Sequence, residues 1–225
     1  MSAIVIASAV PSDVVAQIRA VMAEGPFIAG SSTAVAGAAD IKDSRLLAPD
    51  SPAGARALDL LASALEVHTG FQSAAWPEAM LPPHFCRYEV GRGYGDHVDA
   101  ALMGERASLI RCDVAVTVCL NDADDYEGGE LVIDAAGLPT AWKGRAGDVI
   151  VYPANTLHRV APITRGVRLV AVTWVQSMVR DPERRRVLYD LRSVLDNFDR
   201  APSAPPTPSV ETLRRCYLNL IRMWA

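Results

Sequence analysis

The sequence predicts a mainly β protein, an antiparallel barrel or jelly roll with helices at both ends. Three observations carry this expectation. From Pro82 to about Val179, short runs rich in Val, Ile, Thr and aromatic residues alternate with Gly, Pro, Asn and Asp, as consecutive short strands do. The stretches on either side place apolar residues three and four apart, which is the helical period. The chain has 225 residues, 50% hydrophobic and 21% charged, enough to bury one large core.

Taken in order, Ile4-Val5-Ile6 reads as a short strand. Ser12 suits the N-cap of a helix carrying Val14, Val15, Ile18 and Val21, which ends near Gly25-Pro26. Pro52 opens a second helix with Leu58, Leu61 and Leu65 on one face, and Gly70 suits its stop. Candidate strands follow at 85–90, 113–120, 130–133, 149–152, 158–162 and 167–175. Asp181-Pro182 is a cap and first-turn pair for a helix through Val187, Leu188, Leu191 and Leu195. The segment 201–209, APSAPPTPS, is a stiff, exposed connector. A last helix from about Val210 to Trp224 carries Leu213, Tyr217, Leu220 and Ile221 on one face. The chain thus divides into a mostly helical support region over 1–77, a β core over 78–179 and a C-terminal helical region over 180–225. The two helical regions offer surfaces for a homo-oligomer.

Composition excludes some classes of function. A net charge of −4 without a long basic run disfavours nucleic acid as a partner. The four cysteines form no CxxC pair, so neither a zinc ribbon nor a dithiol redox site is indicated, and a reducing cytoplasm is the default compartment. No basic residue precedes Arg19 in the apolar start, unlike a signal peptide. No run approaches the length of a membrane span.

The chemistry concentrates in four residues. His97 and Asp99 are two apart, so on a strand they share a face and an imidazole and a carboxylate can meet one ion. An HxD pair alone is a common accident. Here Gly91, Gly93 and Gly95 precede it and let backbone pack closely. His158 follows a Gly-Asp turn, a strand and a proline break, which places it early in a separate strand. Two histidines and one carboxylate from separate β elements form a facial triad, a set that leaves coordination positions open and favours non-haem Fe(II). Thr164-Arg165-Gly166 suits a hairpin loop with Gly166 left-handed. In that register His158 faces Val172, and Arg168 lies on the face of His158. A guanidinium near the metal is what a dicarboxylate cosubstrate requires. His68 and His84 read as surface or capping residues.

The segments RYEVGRGYGDHVDAAL, CLNDADDYEGGELVI and AGDVIVYPANTLHRVAPITRGVRLVAVTWVQSMVRD resemble the Fe(II)/2-oxoglutarate dioxygenases of the prolyl-4-hydroxylase superfamily, and among them the bacterial PKHD-type hydroxylases. The resemblance is dense from about Pro82 to Leu191 and returns in YLNLIRMWA. It implies a double-stranded β-helix, or jelly roll, with the terminal helices packed outside. It implies His97, Asp99 and His158 as iron ligands, Arg168 for the distal carboxylate of 2-oxoglutarate, and Tyr88 as a further contact to that cosubstrate. Fe(2+), 2-oxoglutarate and O2 are the implied cofactors, with L-ascorbate as an auxiliary and a link to iron uptake. Asp96 and Ala100 depart from the residues common beside the iron pair and bear on substrate choice. Leu102, Met103 and Arg111 are placed at the substrate entrance. The substrate itself, small molecule or peptidyl group, is not legible.

Two other readings stand beside this one. The run from Gly147 through Pro153 to His158 partly matches a cupin half-motif, although cupins usually offer HxH plus Glu. A non-catalytic sensor could keep the same barrel and hold iron or a small acid.

Overall fold

The computed structural model describes residues 3–30, 41–106, 108–135, 137–200 and 208–225. Strand β1 (Ile4–Ile6) leads into helix α1 (Ser12–Glu24). Pro11, extended, caps α1, and its carbonyl already accepts from Val15 N at 3.0 Å. Ser12 is therefore the first helical residue rather than the cap expected from sequence. Strands β2 (Phe27–Ala29) and β3 (Arg45–Leu47) precede α2 (Pro52–Val67), whose N-cap Ser51 accepts from Gly54 N at 3.0 Å. Gly70 does not stop this helix. The break falls at His68, which is extended and whose Nδ1 accepts from Phe71 N at 3.1 Å, opening α3 (Thr69–Ala75) with Gly70 inside it. The expected capping role of His68 is thus the one it takes.

Most of the remaining strands join a major or a minor sheet. The chain runs through β4 (Pro77–Met80), β5 (His84–Tyr88), β6 (Tyr94–His97), β7 (Leu102–Met103), β8 (Ile110–Arg111), β9 (Val114–Cys119), β10 (Tyr126–Gly128), β11 (Leu131–Asp134), β12 (Pro139–Trp142), β13 (Val149–Pro153), β14 (Leu157–Val160), β15 (Ile163–Gly166) and β16 (Arg168–Ser177). The major sheet has the order β1-β13-β9-β16-β5-β3-β2, with β4 also on β16. The minor sheet has the order β12-β11-β14-β6. Strand β10 pairs with β15, and β7 with β8, as separate two-stranded ribbons. All of these pairings are antiparallel, and the two sheets make the jelly roll. The 1–77 region is more than helical support, since it also supplies β1, β2 and β3 to the major sheet.

The expected hairpin between the strands of His158 and Arg168 does not form. β14 pairs with β11 and β6, β15 pairs with β10, and β16 pairs with β9 and β5. Gly166 is left-handed as expected, at φ +77. The chain there passes from one sheet to the other instead of folding back within one, because both edges of β16 are already occupied. His158 and Arg168 consequently come from opposite sheets.

Helices α1 and α2 cover the outer face of the major sheet. Ile18, Leu61, Leu65 and Phe71 are almost wholly buried there against Val118 and Val149. Each such side chain contributes on the order of 2 kcal/mol. The C-terminal helices α4 (Pro182–Arg200) and α5 (Pro208–Trp224) form a separate apolar cluster with Val179. The Asp181 carboxylate accepts from Arg184 N at 2.9 Å, which starts α4 as expected. Of the expected connector 201–209, residues 201–207 lie outside the described residues.

Candidate functional site

His97 is the last residue of β6, and His158 stands directly opposite it on β14. Asp99 lies two residues beyond the strand end. Donor atoms of these three residues all lie within 4.8 Å of one another, and His158 Nε2 is 3.9 Å from Asp99 Oδ2. His97 Nδ1 lies 2.7 Å from the Gly95 carbonyl and His158 Nδ1 2.9 Å from that of Thr156. A carbonyl can only accept, so each Nδ1 carries the proton and each Nε2 lone pair is left for the centre of the cluster. Tyr94 stacks on His97, with centroids 3.6 Å apart, and Tyr152 stands edge-on to His158 at 5.1 Å. Both imidazole planes are therefore fixed by packing as well as by hydrogen bonds.

The electrostatics call for a cation. Asp99 Oδ2 is buried without a hydrogen-bond partner. Burial raises the Asp99 carboxyl pKa, against the pull of His158, the Trp174 indole and Lys42. Burial, with His158 beside it, lowers His97 to about 4. A buried carboxylate oxygen without a partner beside two imidazoles is costly in a bare protein and is relieved by a divalent ion. Two imidazole nitrogens and one carboxylate oxygen suit Fe(II) and leave half of an octahedron for other ligands.

The triad forms one wall of a pocket of about 840 Å³, and Arg168 and Tyr88 line it too. Arg168 begins β16 and pairs directly with Tyr88 of β5. It is only 4% exposed, and its guanidinium lies 5.3 Å from the Tyr88 ring. All five residues singled out from the sequence thus meet in one cavity. Leu102 and Met103 line it as well. Arg111 is turned away and pairs bidentately with Asp113, at 2.7 and 2.8 Å. His84 is not a surface residue. It lies on β5 in the pocket wall, 5.6 Å edge-on from Trp174, and burial lowers it to about 4.

Sequence reasoning missed other lining residues. Thr117 is the one hydroxyl in the buried run VAVTVC of β9, and it lines the pocket together with Tyr152, whose phenol burial drives strongly upward. That interruption of an apolar strand was an available signal. Lys42 bridges by backbone to Tyr94 and places its ammonium 5.6 Å from that ring. Nothing local in the sequence marks it, because the contact depends on the loop reaching the edge of the minor sheet.

Comparison with known proteins agrees with this geometry. Residues 83–176 match the model of the 2OG-Fe(II) oxygenase superfamily. A PKHD-type hydroxylase of Synechococcus sp. (strain JA-2-3B'a(2-13)) is 39% identical over 209 residues, covering 93% of this chain and 92% of that one. A PKHD-type hydroxylase of Methylobacterium nodulans is 42% identical over 213 residues, covering 94% and 93%. Among solved structures, a Pseudomonas putida prolyl-4-hydroxylase superposes with a TM-score of 0.53 at 22% identity, over 78% of this chain and 92% of that one.

Proposed function

Since the chain belongs to the 2OG-Fe(II) oxygenase superfamily, among its PKHD-type hydroxylases, we propose that His97, Asp99 and His158 hold its iron and that Arg168 binds the distal carboxylate of 2-oxoglutarate. The observation that carries the assignment is the convergence of three donor atoms within 4.8 Å on the wall of a pocket that also contains a buried arginine. When bound, iron with 2-oxoglutarate and O2 supplies the oxidation, in which the cosubstrate leaves as succinate and CO2 and a substrate C–H bond gains a hydroxyl.

The residues of this chain orient the reactants and limit water. Gly95 and Thr156 carbonyls fix the orientation of both imidazoles through Nδ1, so that both Nε2 atoms point to the cluster. Arg168 pairs with the cosubstrate's far carboxylate and thereby sets its distance from the triad. Tyr88 flanks that guanidinium and supplies a second contact to the cosubstrate. Tyr152 and Thr117, buried together, close the inner wall. The Arg168 pairing favours the dioxygenase over a cupin-type reaction, where this cation has no necessary part.

L-Ascorbate acts in this reading as the reductant that restores oxidised iron. The enzyme works in the cytoplasm on a small-molecule or peptidyl substrate, without nucleic acid or membrane as partner, and its helical ends are available for self-association. No helix among the described residues is long and apolar enough to cross a membrane.

The test is an anaerobic Fe(II) titration followed by 2-oxoglutarate, watching for the visible charge-transfer band of the chelate. O2 is then admitted and succinate assayed. A band with slow succinate release is expected, and His97→Ala and Asp99→Ala are expected to lose iron while keeping the fold. Unchanged iron content in both variants would remove the ligand assignment. Binding of 2-oxoglutarate without any succinate would favour a sensor.

A further inference from the structure

Arg168 is the first residue of β16, directly after a turn. An arginine there has many rotamers, yet a cosubstrate of one fixed length needs its guanidinium in one place. The backbone on both sides is held by a single side chain: Asn121 Nδ2 donates to the Val167 carbonyl at 2.8 Å, and Leu169 N donates to Asn121 Oδ1 at 2.9 Å. That clamp fixes the start of the Arg168 side chain and leaves its far end to be fixed by something else.

The acidic loop leading into β10 brings up the second element. A 3₁₀ turn over Ala123–Asp125, closed by reciprocal bonds between Asp122 and Asp125, delivers Tyr126 opposite Gly166 in the β10–β15 pair. Two glycines make room for it. At Gly166, a Cβ would lie 3.0 Å from Tyr126 Cα and 2.3 Å from the Asp125 carbonyl oxygen. At Gly129, φ +67, a Cβ would lie 3.1 Å from both Tyr126 Cε2 and Arg168 Cδ. The Ile163 side chain, which comes nearest, the Tyr126 ring and the arginine stem thus share the space that Gly129 leaves open. Lys143 Nζ donates to the Tyr126 carbonyl at 2.8 Å and sits 4.2 Å from the ring centroid, which holds the ring in place. Tyr126 is 3% exposed.

We infer that Tyr126 is a positioning residue for Arg168, its hydroxyl accepting a hydrogen bond from the guanidinium and holding it at the depth that selects a five-carbon 2-oxo dicarboxylate. Arg168 is then flanked by two tyrosines, the Tyr88 ring 5.3 Å from its guanidinium and the Tyr126 ring beside its stem at Gly129. The charge of Arg168 and this bond both pull on the acidity of Tyr126, against the burial that raises its pKa. The inference rests on the assignment of Arg168 to the cosubstrate carboxylate. It adds a residue that touches neither iron nor cosubstrate, and it explains the otherwise unused Tyr-x-Gly-Gly of the loop.

The experiment compares Tyr126→Phe, which removes one oxygen and keeps the ring, with wild type and Arg168→Ala. Affinities for 2-oxoglutarate and the one-carbon-longer 2-oxoadipate are measured by calorimetry on Mn(II)-loaded protein, where no turnover occurs. Metal affinity and melting temperature are measured on the same samples. Tyr126→Phe is expected to weaken 2-oxoglutarate by roughly ten- to a hundred-fold, the range for losing a hydrogen bond to a charged group. It should narrow the preference over 2-oxoadipate and leave metal affinity unchanged. In turnover the loss should fall on KM for 2-oxoglutarate rather than on kcat. Unchanged affinity in Tyr126→Phe with a large loss in Arg168→Ala would overturn the positioning role alone. Unchanged affinity in Arg168→Ala would overturn the underlying assignment, and this inference with it. A parallel loss of metal affinity in Tyr126→Phe would make it a general packing residue and also overturn the inference.

Discussion

Replacing Arg168 by alanine tests the cosubstrate assignment most directly. The side chain is 4% exposed, begins β16 and lies against Tyr88 inside the pocket. A carboxylate bound there has left water, and without the guanidinium it is left unpaired in a largely dry site. Truncating one partner of a buried charged pair costs about 2–5 kcal/mol, mostly the penalty of the stranded charge. At about 1.4 kcal/mol per factor of ten, the dissociation constant for 2-oxoglutarate should rise by roughly thirty- to several-thousand-fold. Arg168→Lys keeps the charge and loses the planar fork, so it should fall between the two. The assay is the anaerobic 2-oxoglutarate titration of Fe(II)-loaded protein, with iron content measured in parallel. Iron retention should match wild type, because Arg168 is not among the donor atoms of the cluster. An affinity within about threefold of wild type, with iron still bound, would refute the reasoning.

Three further outcomes follow from the structure. Arg185, 2% exposed, donates to the carbonyls of Val179, Arg180 and Asp113 at 2.7, 2.9 and 3.4 Å, so it ties the C-terminal helices to the β core. Arg185→Ala leaves those carbonyls without it and should cost about 2–4 kcal/mol in urea unfolding; a loss below about 0.5 kcal/mol would contradict this tie. Cys86, Cys112 and Cys119 are buried and Cys216 is exposed, so a thiol reagent should label Cys216 alone in the native protein and the rest only on unfolding. Rapid labelling of a second thiol would show the core opening. His84 is lowered from 6.5 to about 4 by burial, so between these values the unfolded chain binds the proton and the folded chain does not. Stability should therefore fall as pH drops from about 6.5 to 4, by on the order of 3 kcal/mol from this group, and His84→Gln should flatten that slope in metal-free protein. An identical pH profile in the variant would place the effect elsewhere.

The sequence by itself determined the class of fold and the iron-binding candidates. The expected strands come out within a few residues of their places, for example Val149–Pro153 and Arg168–Ser177, because buried strands need apolar runs and the turns between them need Gly, Pro and Asn; short strands such as Arg45–Leu47 and Pro139–Trp142 are too short for such a run and are not legible in the sequence. The two-residue period of a strand pairs His97 with Asp99; the strand ends at His97, and Asp99 reaches the same cluster from just beyond it. What spacing could not decide was partnership between distant strands. Neighbours in sequence suggested a hairpin joining His158 to Arg168, whereas the chain crosses between sheets and the two residues line one cavity from different sheets. His84 reads as a surface or capping residue and is part of the pocket wall, because burial is set by what packs against β5 and not by the flanking residues. Lys42 and Tyr126 acquire meaning only through contacts with residues distant in the chain, as in Tyr126 against Gly166, 40 positions on, and Lys42 against Tyr94, 52 positions on, and Thr117 only through the pocket it lines. The local pattern records which way a side chain points along its own strand; only the closed arrangement of both sheets decides what it meets there.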